Sequence, residues 1–220
     1  MRETKILLEK FQQHANPEQA ISMEKYMKNH FAFLGIKTPK RKEILKDFFK
    51  ETDIAKKPFS KDFVEDLWRQ EEREYHYAAL SYCQKYAKTF QLGMVPFFEE
   101  LITTNSWWDT VDTIAPHLIG EIARRDTSVI EEFMDKWVTS DNIWLRRTAI
   151  LFQLKYKANT NPDLLYRYCL LNADSKEFFI QKAMGWALRE YSKTNPESVR
   201  DFIHSHSLPK LTVREGSKYI

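Results

Sequence analysis

Glycine is scarce: the chain has 5 in 220 residues, where average usage is about 7%. Gly35, Gly93, Gly120, Gly185 and Gly216 each stand alone, so neither a G-x-G-x-x-G fingerprint nor a phosphate-cradling P-loop can be assembled. All-β and α/β folds rely on glycine-bearing turns and are disfavoured on the same ground. Cysteine is as sparse. Two residues, Cys83 and Cys169, cannot build a disulfide framework or a four-thiolate metal site, and both read as buried free thiols. No run approaches 18 apolar residues, and the opening Met1-Arg2-Glu3-Thr4-Lys5 is no secretory leader. A cytoplasmic protein is expected. The motifs G-x-S-x-G and H-E-x-x-H are missing, and His204-x-His206 has no third metal ligand nearby.

What is present reads as helix. Four segments, 73–86, 108–121, 143–156 and 178–191, are amphipathic, and their starts lie 35 residues apart. Tyr86, Tyr156 and Tyr191 end three of them, and the small residues Ala78, Thr148 and Ala183 recur at one interior position. Shorter helices are expected between them, near 93–102, 127–138 and 162–171. Asp126-Thr127-Ser128 with Glu131 signals one helix start, and Asn161-Pro162-Asp163 another. Towards the N-terminus, Pro17 opens one helix, Pro39 a second over 40–50, and Ser60 caps a third. A two-helix unit repeating every 35 residues is the pattern of an α-solenoid. The tetratricopeptide consensus is missing, so the expected fold is all-α and HEAT-like. It would form one domain over 1–220, with clear repeats at about 73–210 and helices 1–70 in the same curved stack. After about residue 205, Pro209 and polar neighbours suggest a loosely held end.

The net charge of +3 conceals an uneven distribution. Residues 1–70 carry 15 basic and 11 acidic side chains, residues 71–140 carry 6 and 12, and residues 141–220 carry 13 and 8. Basic ends flanking an acidic middle could hold a polyanion, or could simply be solvated helix faces.

The repeat register aligns the fifth position of each segment: Tyr77, Asp112, Arg147 and Lys182, with Lys42 one repeat earlier. Trp108 lies one turn before Asp112, and Trp186 one turn after Lys182. This column gathers a carboxylate, cations and two indoles. Taken singly, Asp112 and Arg147 could be a bridge that fixes stacking, the tryptophans could be core, and Lys182 could be a solvated lysine. Together they suit recognition of phosphate and sugar.

At Ser106-Trp107-Trp108-Asp109-Thr110-Val111-Asp112 the sequence resembles the AlkD family of bacterial DNA glycosylases, whose motif has the form S-W-D-x-V-D. Further matches follow the family's order: Tyr26 with Gly35-Ile36-Lys37-Thr38-Pro39, the stretch 142–151 around Arg147, and Gly185-Trp186-Ala187-Leu188-Arg189-Glu190-Tyr191. They extend from about residue 20 to 192. The doubled tryptophan departs from the motif. Trp108 takes the motif position and Trp107 is read as packing.

The resemblance implies helix pairs whose concave face holds duplex DNA. It also implies hydrolysis of the N-glycosidic bond of cationic N3- and N7-alkylpurines. It assigns catalysis to Asp112, flanked by Trp108 and Trp186, and contact with the DNA backbone to Arg147, with Tyr26 near the DNA. Lys182 and Lys42, the column's other cations, complete the expected DNA-binding set. A monomer is expected, needing neither metal nor cofactor, associated with the nucleoid of a bacterium, and working on double-stranded DNA that contains alkylated purines. Two rivals remain. Lys182 would permit a Schiff-base lyase, and a non-catalytic HEAT-type scaffold could bind DNA or another protein on the same face.

Overall fold

The computed structural model describes all of residues 1–220, and the chain is helical throughout. It falls into two compact units, Met1–Tyr86 and Ala87–Ile220. The first contains α1 (Arg2–Gln12), α2 (Pro17–Tyr26), α3 (Thr38–Thr52), α4 (Lys61–Trp68) and α5 (Arg73–Lys85). In the second, α6 (Val95–Thr103) precedes α7 (Trp108–Ile114), which continues through a π-helical stretch, Ala115–Ile119, into α8 (Gly120–Ala123). Pro116 lies in that stretch; it has no N–H to complete an α-helical bond, and the helix widens there. A second π-helical stretch, Ile130–Met134, leads into α9 (Asp135–Trp137). The unit ends with α10 (Ile143–Leu151), α11 (Pro162–Leu171), α12 (Phe178–Ser192), α13 (Pro196–Ser205) and α14 (Lys210–Gly216). This is an α-solenoid of helical repeats.

Local chemistry sets the helix starts. The helices α5, α7, α10 and α12 begin at Arg73, Trp108, Ile143 and Phe178, in the register read from the sequence. An Asn-Pro pair opens α2, α11 and α13. In each, the asparagine side chain accepts a backbone N–H of the first turn, from Gln19, Leu164 and Ser198 respectively, while the proline has no N–H left to satisfy. Ser60 does the same for Phe63 at α4.

In the first unit the core is aromatic. Phe48 stacks on Phe63 at 5.9 Å, and Phe63 meets Tyr82 edge-on at 5.0 Å. Glu74, fully buried on α5, accepts three consecutive backbone N–H groups, from Leu34 at 3.0 Å, Gly35 at 2.9 Å and Ile36 at 2.9 Å. Those amides lie in a loop, so the carboxylate supplies the acceptors that a helix or sheet would otherwise provide. Gly35 is required here: its φ is +86°, and a Cβ would lie 2.0 Å from the Asn16 carbonyl oxygen.

In the second unit α10 packs on α7 and α12, and α12 packs on α14. Its core includes Ile150, Leu151, Ile180, Met184 and Leu188. Cys83 and Cys169 are free and buried, each in the core of its own unit. The segment after residue 205 departs from the sequence reading. It folds into α14, with Thr212, Glu215 and Gly216 buried. The polar residues that suggested a loose end are the ones that dock it.

Candidate functional site

Asp112 and Arg147, one repeat apart, meet directly. Arg147 donates from Nε to Asp112 Oδ1 at 2.7 Å and from Nη2 to Oδ2 at 2.9 Å, a bidentate pair. Its Nη1 donates to the Phe179 carbonyl oxygen at 2.5 Å, tying α12 to the pair. The guanidinium is nearly enclosed, with 6% of the side chain exposed against 14% for Asp112. Burial pushes the Asp112 carboxyl above its ordinary range, and the hydrogen bonds and charge of Arg147 oppose that shift. A guanidinium has five N–H groups, so two remain beyond the three bonds described.

An aromatic wall supports the pair. The rings of Trp107, Trp144 and Phe179 lie 5.0 to 5.6 Å apart, and the Arg147 guanidinium lies 5.9 Å from the Phe179 centroid. Trp108 opens α7 one turn before Asp112 and is partly buried, with its side chain on the Asp112 side of the helix. On α12, Lys182 and Trp186 are one turn apart and both partly buried. Lys182 does not stand alone: its Nζ lies 3.2 Å from Glu215 Oε1. Glu215 also pairs with Arg189 at 3.0 Å and Lys218 at 2.8 Å. Lys218 first, and then Lys182, hold the Glu215 carboxyl down to about 2 against the pull of burial.

The remaining expected positions belong to the first unit. Tyr26 ends α2 and is 72% exposed, and Lys42 is exposed on α3. Tyr77, the first unit's member of the column, lies under the Arg41 guanidinium at 4.3 Å. No group of three or more His, Cys, Asp or Glu side chains is placed to hold a metal ion, and no helix is long and apolar enough to cross a membrane.

Sequence reasoning missed Phe179, Trp144 and Glu215. Phe179 acts through its carbonyl oxygen, which no side-chain pattern reveals. Trp144 lies one residue into a helix whose capping residue, Asn142, is the stronger signal. Glu215 lies in the segment read as a loose tail.

The sequence model of a family described as "DNA alkylation repair enzyme" matches residues 7–220. Among solved structures, one described as a predicted DNA alkylation repair enzyme from Enterococcus faecalis aligns with a TM-score of 0.86 at 36% identity. The alignment covers 94% of this chain and 96% of that one. No curated protein matches the chain.

Proposed function

Because the chain belongs to the DNA alkylation repair enzyme family, we propose that it is a monofunctional glycosylase hydrolysing the N-glycosidic bond of N3- and N7-alkylated purines in duplex DNA. The observation that carries this reading is the Asp112 carboxylate. It is oriented by a bidentate guanidinium, partly open to solvent, and one turn from Trp108.

The chemistry fits a single carboxylate. Alkylation at N3 or N7 makes the purine cationic and a good leaving group, so no general acid is needed. As the glycosidic bond breaks, positive charge develops on the deoxyribose. Asp112 stabilises that charge and orients the attacking water. At ~4 Å and an effective dielectric near 20, the attraction is worth roughly 4 kcal/mol before Arg147's share of the carboxylate is deducted. That corresponds to a rate factor of at most about a thousand. Trp108 and Trp186 present electron-rich faces to the sugar. Arg147 offers its two remaining N–H groups to a phosphate. Lys182, Lys42 and Tyr26 contact the DNA strands. Lys182 Nζ is engaged with Glu215 Oε1 at 3.2 Å, which favours hydrolysis by water over an imine on that lysine.

One observation favours a second reading, a non-catalytic DNA-binding or protein-interaction scaffold: three of the Arg147 donors are already satisfied within the protein. Release of free base separates the two. The protein is incubated with methylated duplex DNA, and 3-methyladenine and 7-methylguanine are quantified. The wild type should release them, and Asp112→Asn should bind the duplex yet lose most excision. Base release by that variant at the wild-type rate would sink the catalytic assignment, and no release by the wild type would favour the scaffold.

A further inference from the structure

We propose that the open cleft between the first turn of α12 and α14 is a second phosphodiester-binding subsite, holding the DNA strand that flanks the candidate site. This inference rests on the DNA-repair reading above.

The cleft follows from how α14 docks. Gly185 lets α14 lie against α12: a Cβ there would come within 2.6 Å of Glu215 Cβ and 3.1 Å of the Thr212 carbonyl oxygen. Thr212 Oγ1 donates to the Gln181 carbonyl oxygen at 3.0 Å, and Glu215 pairs with Lys182 and Arg189. Thr212, Glu215 and Gly216 are buried by these contacts, so α14 is fixed along α12. Its outer positions, Lys210 and Arg214, then face Phe178 across a cleft of about 720 Å³. The loop before α12 forms the remaining wall. Gln181 braces it by donating from Nε2 to the Ser175 carbonyl oxygen at 2.9 Å, and Lys176 and Asp174 extend from it.

The chemistry of the cleft is that of a backbone site. Lys176, Lys210 and Arg214 are all exposed, against one carboxylate, Asp174. Glu215 is committed to Lys182, Arg189 and Lys218, and lies 4.0 Å from Arg214, its most distant cation. Phe178 is 57% exposed at the mouth, an apolar surface beside cations, which suits a sugar between two phosphates. The cleft also lies next to the candidate site through Phe178. Phe178 meets Phe179 at 5.4 Å, and Phe179 carries the carbonyl that accepts from Arg147. Phe178, Lys182 and Trp186 recur at four-residue intervals along α12, so they form one stripe roughly 12 Å long. A strand whose sugar meets Trp186 and whose phosphate meets Lys182 would reach Phe178 a few nucleotides further on.

Binding to undamaged duplex DNA is measured across a salt series for the wild type, for Lys176→Ala/Lys210→Ala/Arg214→Ala, and for Phe178→Ala. A control, Lys136→Ala/Lys155→Ala/Lys157→Ala, removes three exposed lysines outside the cleft. The triple cleft variant should lower the salt slope by about 2 to 3 and weaken binding roughly 10- to 100-fold at ~0.15 M salt. Phe178→Ala should weaken binding about tenfold with the slope unchanged. An unchanged slope in the cleft variant, or an equal fall in the control, overturns the subsite. Unweakened binding by Phe178→Ala overturns the sugar contact. Unchanged thermal unfolding of each variant excludes misfolding. A reduced slope in a protein that excises no alkylpurine leaves the subsite standing and sinks only the glycosylase reading. Failure of the wild type to bind duplex DNA sinks both.

Discussion

The Asp112–Arg147 pair makes a strong thermodynamic prediction, because both ions are largely withdrawn from water and each depends on the other. Replacing Arg147 with Met keeps most of the volume but leaves the carboxylate without its two donors at 2.7 and 2.9 Å. Breaking a buried pair by removing one partner costs about 3 to 5 kcal/mol, whereas removing both charges is often near neutral. Arg147→Met is therefore expected to destabilise the second unit by about 3 kcal/mol or more, and Asp112→Leu by a similar amount. The double variant should recover to within ~1 kcal/mol of the wild type. Five of the six tryptophans, all except Trp68, lie in the second unit, so tryptophan fluorescence during urea unfolding follows that unit. At a slope of roughly 2 to 3 kcal/mol per molar urea, each single variant should lower the midpoint by more than about 1 M. The pH dependence has a definite sign. Burial already raises the Asp112 carboxyl, and without Arg147 it rises further. The folded variant then binds a proton that the unfolded chain has released. Arg147→Met should thus lose stability as pH rises through that raised value, with a deficit larger at pH 8 than at pH 5. Additivity of the single variants within about 0.5 kcal/mol would refute the coupling, and a pH-independent deficit would refute the account of its cause.

Excision of 7-methylguanine needs the Asp112 carboxylate ionised, so its rate should fall as pH drops, with a midpoint above the ordinary carboxylate range; a flat acid limb would remove Asp112 from the chemistry. Glu74→Ala strands three buried N–H groups, at about 1 to 3 kcal/mol each. A loss of about 3 to 6 kcal/mol is expected in the first unit by chemical denaturation, and a loss below about 1 would mean that the loop at 34–36 finds other acceptors. The Glu215 carboxyl lies near 2 when folded, so its contribution is present above the unfolded value near 4.3 and is lost as pH falls towards ~2. The shift corresponds to roughly 3 kcal/mol at most, and about 1 to 2 after screening, because its lysine partners are over a third exposed. The urea midpoint of Glu215→Gln should be lower than that of the wild type at pH 7, with the gap roughly halved by pH 3; a constant gap would point to packing as the cause.

The repeat was legible because it is written in local chemistry. Asn-Pro pairs, Ser60 and the 35-residue register each act within one turn of helix, so the starts at Arg73, Trp108, Ile143 and Phe178 followed from neighbouring residues. The same register aligned Asp112 with Arg147, and helix packing converts that alignment into a hydrogen-bonded pair. What escaped was whatever depends on a partner distant in sequence. Glu74 on α5 looks like a solvated first-turn acid until the amides of residues 34–36 are brought to it.

The C-terminal segment shows most clearly what local patterning leaves out. Lys210-Leu211-Thr212-Val213-Arg214-Glu215-Gly216 is short, follows Pro209, and has little apolar surface of its own, so periodicity gives it no reason to dock. The reason lies in α12, where Gly185 clears space and Lys182 and Arg189 wait for a carboxylate. Neither half carries the signal alone. The consequence reaches the candidate site, because Glu215 sets how much of the Lys182 charge is available to a phosphate. A cation read from sequence as a DNA contact is also one spoke of a buried carboxylate hub. The more exposed charge lies further out, on Lys176, Lys210 and Arg214. If DNA approaches this unit along α12, the outer cations should therefore dominate the salt dependence, with Lys182 contributing less than its place in the column suggests.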